Sequence, residues 1–390
     1  MKAAVYLHPT KLNVFRKGHP WIFPKAITTS KGNLKTGGLV DIYSPENAFL
    51  GVGIYNEHSL YRVRVLAYAF ENLENYELST ILMHRLKQAI DLRNAINLPN
   101  ESTTAYRFFN SEADGLSGLT IDRFNNTLVI SSSAYWVEKN KELIISQLQS
   151  LLPQVTILWF PQEKALKQDG FQLVDSNTVS AQEEIMEEGI RFVIDFSNTQ
   201  KTGLFLDQRE NHHRLASLAK NKKVLDLYTY TGGFALHAAK AGAERVVGID
   251  SSAQAIELAQ KNANNNQLKN IEFLVGDARN YLTKASEFDI VILDPPKLVP
   301  SQRHLERAKN YYRFLHREVF NVMKSGSLLM TCNCSAALSA SEFAELVSNQ
   351  AFTVGKMVRI LGIYGPARCH PVLASFPEGH YLTAILLLVL

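Results

Sequence analysis

Between Leu39 and Leu66 the chain runs in short apolar stretches, LVDIY, LGVGIY and YRVRVLAY, separated by the polar turn segments SPENA and NEHS. That spacing predicts a small all-β barrel over residues 1–70. Residues 77–95 carry apolar positions at helical intervals behind a Ser/Thr-bearing start and predict a linking helix. Between Tyr106 and Ile194 the stretches LTIDRF, TLVISSS, TILWFP and IRFVIDF read as strands punctuated by DGLSG and QDG, so residues 71–195 are expected to form an α+β middle domain. From Lys222 onward strands and helices alternate: KVLDLY, helix 233–241, RVVGID, helix 252–265, IEFLVGD, a further helix, FDIVILDPP, helix 302–323, SLLMTC, helix 340–350. Five βα units in succession predict a doubly wound parallel sheet within a third domain, residues 196–390. The expected class is α/β with an all-β N-terminal module.

Composition supports a folded chain: of 390 residues 46% are hydrophobic and 20% charged, with 13 prolines, which excludes disordered and collagen-like classes. The longest uninterrupted apolar run, Ala384–Leu390, is far shorter than the roughly 20 residues that cross a bilayer, so no membrane partner is expected. Met1–Phe15 is broken by His8, Pro9, Lys11 and Asn13 and lacks the apolar core of a secretory signal, which points to a cytoplasmic protein. The 3 cysteines exclude a disulfide framework. The net charge of +4 is unevenly spread: residues 1–70 hold 9 basic and 3 acidic side chains, +6, and the remainder carries −2. Such a basic module suits an anionic partner.

Open parallel sheets bind ligands at the carboxyl ends of their strands, where Asp226, Asp250, Asp277, Asp294 and Cys332/Cys334 all fall. The segment Val224–Phe234 turns from strand to helix through Gly232 and Gly233, which let backbone approach a ligand. It holds Tyr228 and Tyr230 where a dinucleotide fingerprint needs glycine, so a nicotinamide cofactor is disfavoured. Asp250 follows Asp226 by 24 residues, at the place where a carboxylate accepts ribose hydroxyls. Asp277 ends the next strand, where it can accept an adenine amine; together the acids suit an adenosine that needs no phosphate cradle.

Asp294-Pro295-Pro296-Lys297 lacks the aromatic residue after the prolines that stacks a base during methylation of an exocyclic amine. In Thr331-Cys332-Asn333-Cys334-Ser335 the cysteines stand at i and i+2, facing one way, without the C-x-x-C spacing of metal loops. Cys369 and His370 alone could complete a zinc site, and no metal is expected. A buried inert pair and a thiolate nucleophile both remain open. The second has a clear chemical use, because C5 of cytosine becomes nucleophilic toward a methyl sulfonium once a thiolate adds at C6.

On Lys201–Arg209 (KTGLFLDQR), Asp226–Phe234, Asp294–Lys297 and Cys332–Ser335, with Arg16–Phe23 (RKGHPWIF) and Glu112–Leu119 earlier in the chain, the whole sequence resembles the bacterial class I cytosine-C5 methyltransferases of large-subunit ribosomal RNA with an N-terminal PUA domain. The resemblance implies a Rossmann-like methyltransferase domain and S-adenosyl-L-methionine as cofactor, held by Phe205, Gln208, Asp226, Tyr228, Gly232, Asp250, Asp277 and Asp294. It implies Cys334 as nucleophile, with Cys332 second, and Asp294 supporting the base. Arg16, Lys17 and Lys297 would meet 23S ribosomal RNA, and a homodimer is compatible with it. Where the family carries Asp-His-Pro this chain has Cys369-His370-Pro371. The alternative activity is guanine methylation without thiolate catalysis.

Overall fold

The computed structural model describes residues 2–172, 182–196, 204–298 and 305–390. The start of the Lys201–Arg209 motif and the expected helix start at 302 lie outside the described residues. The chain packs as two compact units, one of residues 1–100, 104–183 and 369–379, the other of 101–103, 184–368 and 380–390.

The first unit opens with β1 (Ala4–Leu7), α1 (Leu12–Arg16), β2 (Trp21–Ile22), β3 (Ile27–Lys31), β4 (Gly38–Tyr43), β5 (Phe49–Tyr55) and β6 (Val63–Tyr68). They form a six-stranded sheet in the order β2-β6-β5-β4-β1-β3. Val5, Leu7, Val40, Ile42, Val63 and Val65 pack with Leu12 and Phe15 of α1 into its core, where β-branched side chains fit the pleated surface. Helix α2 (Leu78–Ala95) follows, and then β7 (Ala105–Asn110), β8 (Leu119–Phe124), β9 (Thr127–Ser132), α3 (Tyr135–Lys139), α4 (Lys141–Leu151), β10 (Thr156–Pro161) and α5 (Glu163–Gln168). Strands β7–β10 form a second sheet in the order β10-β9-β8-β7.

The buried stripe of α2 includes Ile81, Leu82, Leu86 and Ala89, but also Arg85 and Arg93. Arg93, 1% exposed, is satisfied by a two-pronged bond to Asp114 (2.8 Å to each oxygen) and by the carbonyls of Arg107 and Cys369. A charge so deeply buried persists only when it is paired and hydrogen-bonded throughout.

The long stretch of the second unit begins within the hairpin of β11 (Gln182–Glu187) and β12 (Ile190–Asp195). The strand pattern groups this hairpin with the middle region, yet the side-chain oxygens of Asn262 and Asn266 accept from Val193 N and Arg191 N, both at 2.9 Å. After it come α6 (Arg209–Ala216), β13 (Lys223–Leu227), α7 (Gly233–Lys240), β14 (Arg245–Asp250), α8 (Ala253–Asn265), β15 (Ile271–Val275), β16 (Ile290–Leu293), α9 (Leu305–Val322), β17 (Leu328–Asn333), α10 (Ala340–Thr353), β18 (Val358–Tyr364) and β19 (Thr383–Val389). The sheet order is β15-β14-β13-β16-β17-β19-β18.

The five parallel strands anticipated from the alternation are present. The final apolar run of the chain becomes β19, antiparallel and inserted between β17 and β18. The helix expected after β15 is a 3-10 segment, Ala278–Glu287. Strand order reverses at β13, which pairs with β14 on one side and β16 on the other. This switch point opens a crevice beyond the strand ends. No helix among the described residues is long and apolar enough to cross a membrane.

Candidate active site

A cleft of about 520 Å³ lies in the second unit, and its walls include Phe205, Gln208, Tyr228, Asp250, Asp294, Lys297 and Cys334. Seven of the site residues expected from the sequence thus share one concavity, drawn from segments far apart in the chain. The loop after β13 supplies one wall in a strained form: Tyr228 and Tyr230 have φ of 67° and 52°, and Gly232 has φ 90°. Bulky residues rarely adopt this region, so the surrounding structure must impose it. Tyr228 Oη bonds Tyr311 Oη at 3.0 Å, Tyr230 N donates to Asp250 Oδ2 at 3.0 Å, and the Phe205 ring meets the Tyr230 ring edge-on at 5.2 Å.

Asp226 stands behind this loop, fully buried. Its Oδ2 accepts from Thr229 Oγ1 (2.6 Å) and Ala235 N (3.1 Å), whereas Oδ1 is buried without a partner among the described residues. Burial, with a smaller push from Asp294, raises its pKa to about 7. Asp294 is raised likewise to about 7, by burial first and then by Asp207. Gln208 Nε2 donates to Asp294 Oδ2 at 3.0 Å and ties the α6 side of the cleft to the end of β16.

The two cysteines part company at the end of β17. Cys332 is inside the strand with no exposed surface, and burial and then Asp294 push its thiol well up. Cys334 lies just beyond the strand, half-buried, on the cleft wall. Cys369 is buried in the other unit; its Sγ is 3.3 Å from His370 Nδ1, and its carbonyl receives Arg93. The bond to Arg93 uses the backbone oxygen of position 369 and does not depend on its side chain.

Some expected residues are placed elsewhere. Asp277 does not line the cleft: it caps the 3-10 segment and accepts from Arg279 through both backbone and guanidinium, which lowers its pKa. Its carboxylate pairs with the Arg279 guanidinium in that local turn. Gly232 shapes the loop, and it is Gly233 that borders the cleft. Trp21, within the RKGHPWIF segment, stacks on Tyr61 at 3.9 Å and donates to Glu112 and Ser117, which is a packing role. Arg16 and Lys17 are exposed on and just after α1.

Sequence reasoning missed a buried charge cluster behind the cleft. Glu187, His212 and His237 bring their ligand-type atoms within 4.8 Å of one another. His212 Nδ1 donates to Glu187 Oε1 at 2.8 Å, and His237 bonds Gly233 O through Nδ1 at 2.8 Å. Burial opposes the Glu187 charge, but His212, His237 and Arg209 outweigh it and hold the carboxyl below its usual range. No motif announces this cluster, since its members are spread over a hairpin and two helices.

The walls fit an adenosine-bearing cofactor: an acidic side chain, Asp250, at the end of β14 and aromatic rings at the rim, with the orphaned buried oxygen of Asp226 behind the strand-to-helix loop. Comparison with known proteins agrees. Residues 218–373 match the methyltransferase domain family and residues 5–68 the PUA-like domain family. The chain is 34% identical over 394 residues to ribosomal RNA large subunit methyltransferase I of Alteromonas mediterranea, covering 99% of this chain and 98% of that protein. It is 33% identical to the protein of the same name from Aeromonas salmonicida, covering 99% of each. Among solved structures, a chain provisionally named a SAM-dependent methyltransferase from Streptococcus mutans superposes with a TM-score of 0.80 at 21% identity, covering 100% of both chains. A second, solved in complex with SAH, gives 0.82 at 20% identity, again over 100% of both. These two show the shared fold, and the full-length similarity of the curated relatives shows more: the chain belongs to the ribosomal RNA large subunit methyltransferase I family.

Proposed function

We propose that this protein is an S-adenosylmethionine-dependent enzyme that methylates C5 of a cytosine in 23S ribosomal RNA through a covalent adduct on Cys334. The observation that carries the reading is the separation of the two cysteines: Cys334 opens on the cleft beside Asp294 and Lys297, while Cys332 is enclosed. Cytosine C5 needs a nucleophile at C6, and only a thiol on the cleft wall can reach a base placed there. Family membership supports ribosomal RNA as the substrate class.

The cofactor supplies an electrophilic methyl group on a sulfonium. Asp250 would hold its ribose, and Phe205 with Gln208 would close the pocket over it. Cys334, as thiolate favoured by the neighbouring Lys297 ammonium, forms the S–C6 bond. Asp294, with its pKa near 7, can donate its proton to N3, where the electron pair displaced by the addition comes to rest. After C5 has been methylated a water would take the C5 proton, the S–C6 bond breaks with its electron pair on sulfur, and N3 returns its proton to the Asp294 carboxylate, which regenerates the thiolate and the acid. The basic first 70 residues would engage the RNA backbone while the target base is turned out into the cleft.

Incubation with large-subunit RNA carrying 5-fluorocytosine tests the reading. A stable protein–RNA adduct that maps to Cys334 is expected, because fluorine at C5 blocks the final elimination. Methyl transfer to unmodified RNA with no adduct on the fluorinated RNA would remove the thiolate route and favour guanine methylation.

A further inference from the structure

Behind the cleft, Glu187 at the end of β11, His212 in α6 and His237 in α7 turn their ligand-type atoms toward one another, all within 4.8 Å. The three side chains are buried, Glu187 with no exposed surface. A close approach of two helices brings the rings together. The His212 ring lies against the first residue of α7, where a Cβ would stand 2.4 Å from Cε1, so only glycine at 233 admits it. One turn on, His237 Nδ1 donates to Gly233 O at 2.8 Å, which sets the direction of the second ring.

The protons at hand do not satisfy this cluster. A carbonyl oxygen only accepts, so His237 Nδ1 carries a proton, and a neutral imidazole has no second N–H for the Glu187 carbonyl, 3.1 Å from Nε2. Glu187 Oε1 takes the proton offered by His212 Nδ1 at 2.8 Å and stands 3.9 Å from His237 Nε2. Glu187 Oε2 is buried with no hydrogen-bond partner among the described residues. An imidazole lone pair, a carbonyl oxygen and a carboxylate with one oxygen unpaired thus converge in the interior, which is costly unless a cation lies among them. The nearest guanidinium, Arg209, is balanced by Glu188 and Glu210, each at 3.5 Å.

We propose that Glu187, His212 and His237 bind one divalent transition-metal ion of the zinc class, through His212 Nδ1, His237 Nε2 and the Glu187 carboxylate, with the Glu187 carbonyl at the fourth position. Donor atoms around a tetrahedral zinc stand about 3.3 Å apart, and the separations of 2.8, 3.1 and 3.9 Å bracket that value. Two imidazole nitrogens with one carboxylate suit zinc better than magnesium or calcium, which collect oxygen ligands. His237 already makes, through Nδ1, the second hydrogen bond that orients a metal-binding imidazole. The ion displaces the proton from His212 Nδ1, and that ring keeps its one proton on Nε2. With four protein donors the site is structural: it clasps the β11–β12 hairpin to α6 and α7, independently of the cofactor and of the methylated base.

Titration of the untagged, chelator-stripped full chain with Co²⁺ tests the site. Stoichiometric uptake is expected, displaced by Zn²⁺, with visible d–d bands of tetrahedral intensity and without the near-ultraviolet charge transfer that a cysteine ligand would add. Zn²⁺ should also raise the unfolding temperature, and a chelator should return it. His237→Gln and Glu187→Gln, which keep the size of the side chain or nearly so, are expected to weaken Co²⁺ binding at least about a hundredfold. Should a variant not fold, the spectrum and the zinc-dependent unfolding of the parent decide alone. No stoichiometric uptake by the parent, a thiolate-type or octahedral spectrum, or unchanged affinity in the folded variants overturns the site and leaves His237 as a buried imidazolium paired with Glu187.

Discussion

Cys332 and Cys334 stand two residues apart, the first enclosed within β17 and the second past its end on the wall of the cleft. Cys334→Ser is expected to lower methyl transfer by at least about a thousandfold, since a serine hydroxyl does not ionise near neutral pH as a thiol of reference pKa about 8.5 can. Cys332→Ser is expected to reduce transfer only modestly, through its buried neighbours Asp294 and Gln208. Both variants should bind S-adenosylhomocysteine as the parent does. Labelled methyl transfer with paired calorimetry checks this; full activity in Cys334→Ser would assign the chemistry elsewhere.

The buried Asp226 carboxyl has a folded pKa of about 7 against an ordinary 3.8, so the folded state holds a proton that the unfolded chain releases. Its ionisation therefore lowers stability progressively as pH rises from about 4 to about 7, and the full loss is present above that window. Asp226→Asn keeps an acceptor for Thr229 and Ala235 and removes the charge. The variant is expected to gain on the order of 2 kcal/mol over the parent at pH 8, with the gain vanishing at pH 4. Urea unfolding across that range measures it, and a gain independent of pH would contradict the assignment.

Asp114 lies in the Glu112–Leu119 motif, but its oxygens belong to Arg93 at 2.8 Å each. Asp114→Ala leaves a guanidinium buried without its counter-charge and is expected to destabilise the first unit by about 3–5 kcal/mol. Chemical denaturation followed by Trp136, which is 2% exposed, would report it. A loss below about 1 kcal/mol would mean that water or another acid replaces Asp114.

Arg16 and Lys17 are exposed beside α1, whereas Arg64, counted in the same basic segment, is spent on a buried pair with Asp169. Replacing Arg16 and Lys17 by alanine should weaken RNA binding and reduce the salt slope by about 2, one for each phosphate that is no longer neutralised. S-adenosylhomocysteine binding should not change. An unchanged slope in filter binding across a salt series would move the RNA-binding surface off this helix.

Much of the second unit is legible along the chain because the parallel strands are continuous apolar runs, buried on both faces and separated by helical periods. Asp226, Asp250 and Asp294 could be placed at strand ends for the same reason: an acid that closes an apolar run marks where the strand leaves the core. The antiparallel β19 was not legible, since Ala384–Leu390 shows the same apolar run whether it pairs parallel, antiparallel or forms a helix.

The sequence by itself determined the order of the elements and the rim on which the acids and cysteines gather, because both follow from local period and chain order. Tertiary structure alone decided which of these residues line the cleft. Asp277 turned to Arg279, two residues away, rather than to the cleft, and the end of β17 fell between Cys332 and Cys334. Pairs such as Glu187 with His212, or Arg93 with the carbonyl of Cys369 at 276 residues' distance, exist only once the chain is packed. A buried charge must find its partner wherever packing places one, and no local pattern encodes that choice.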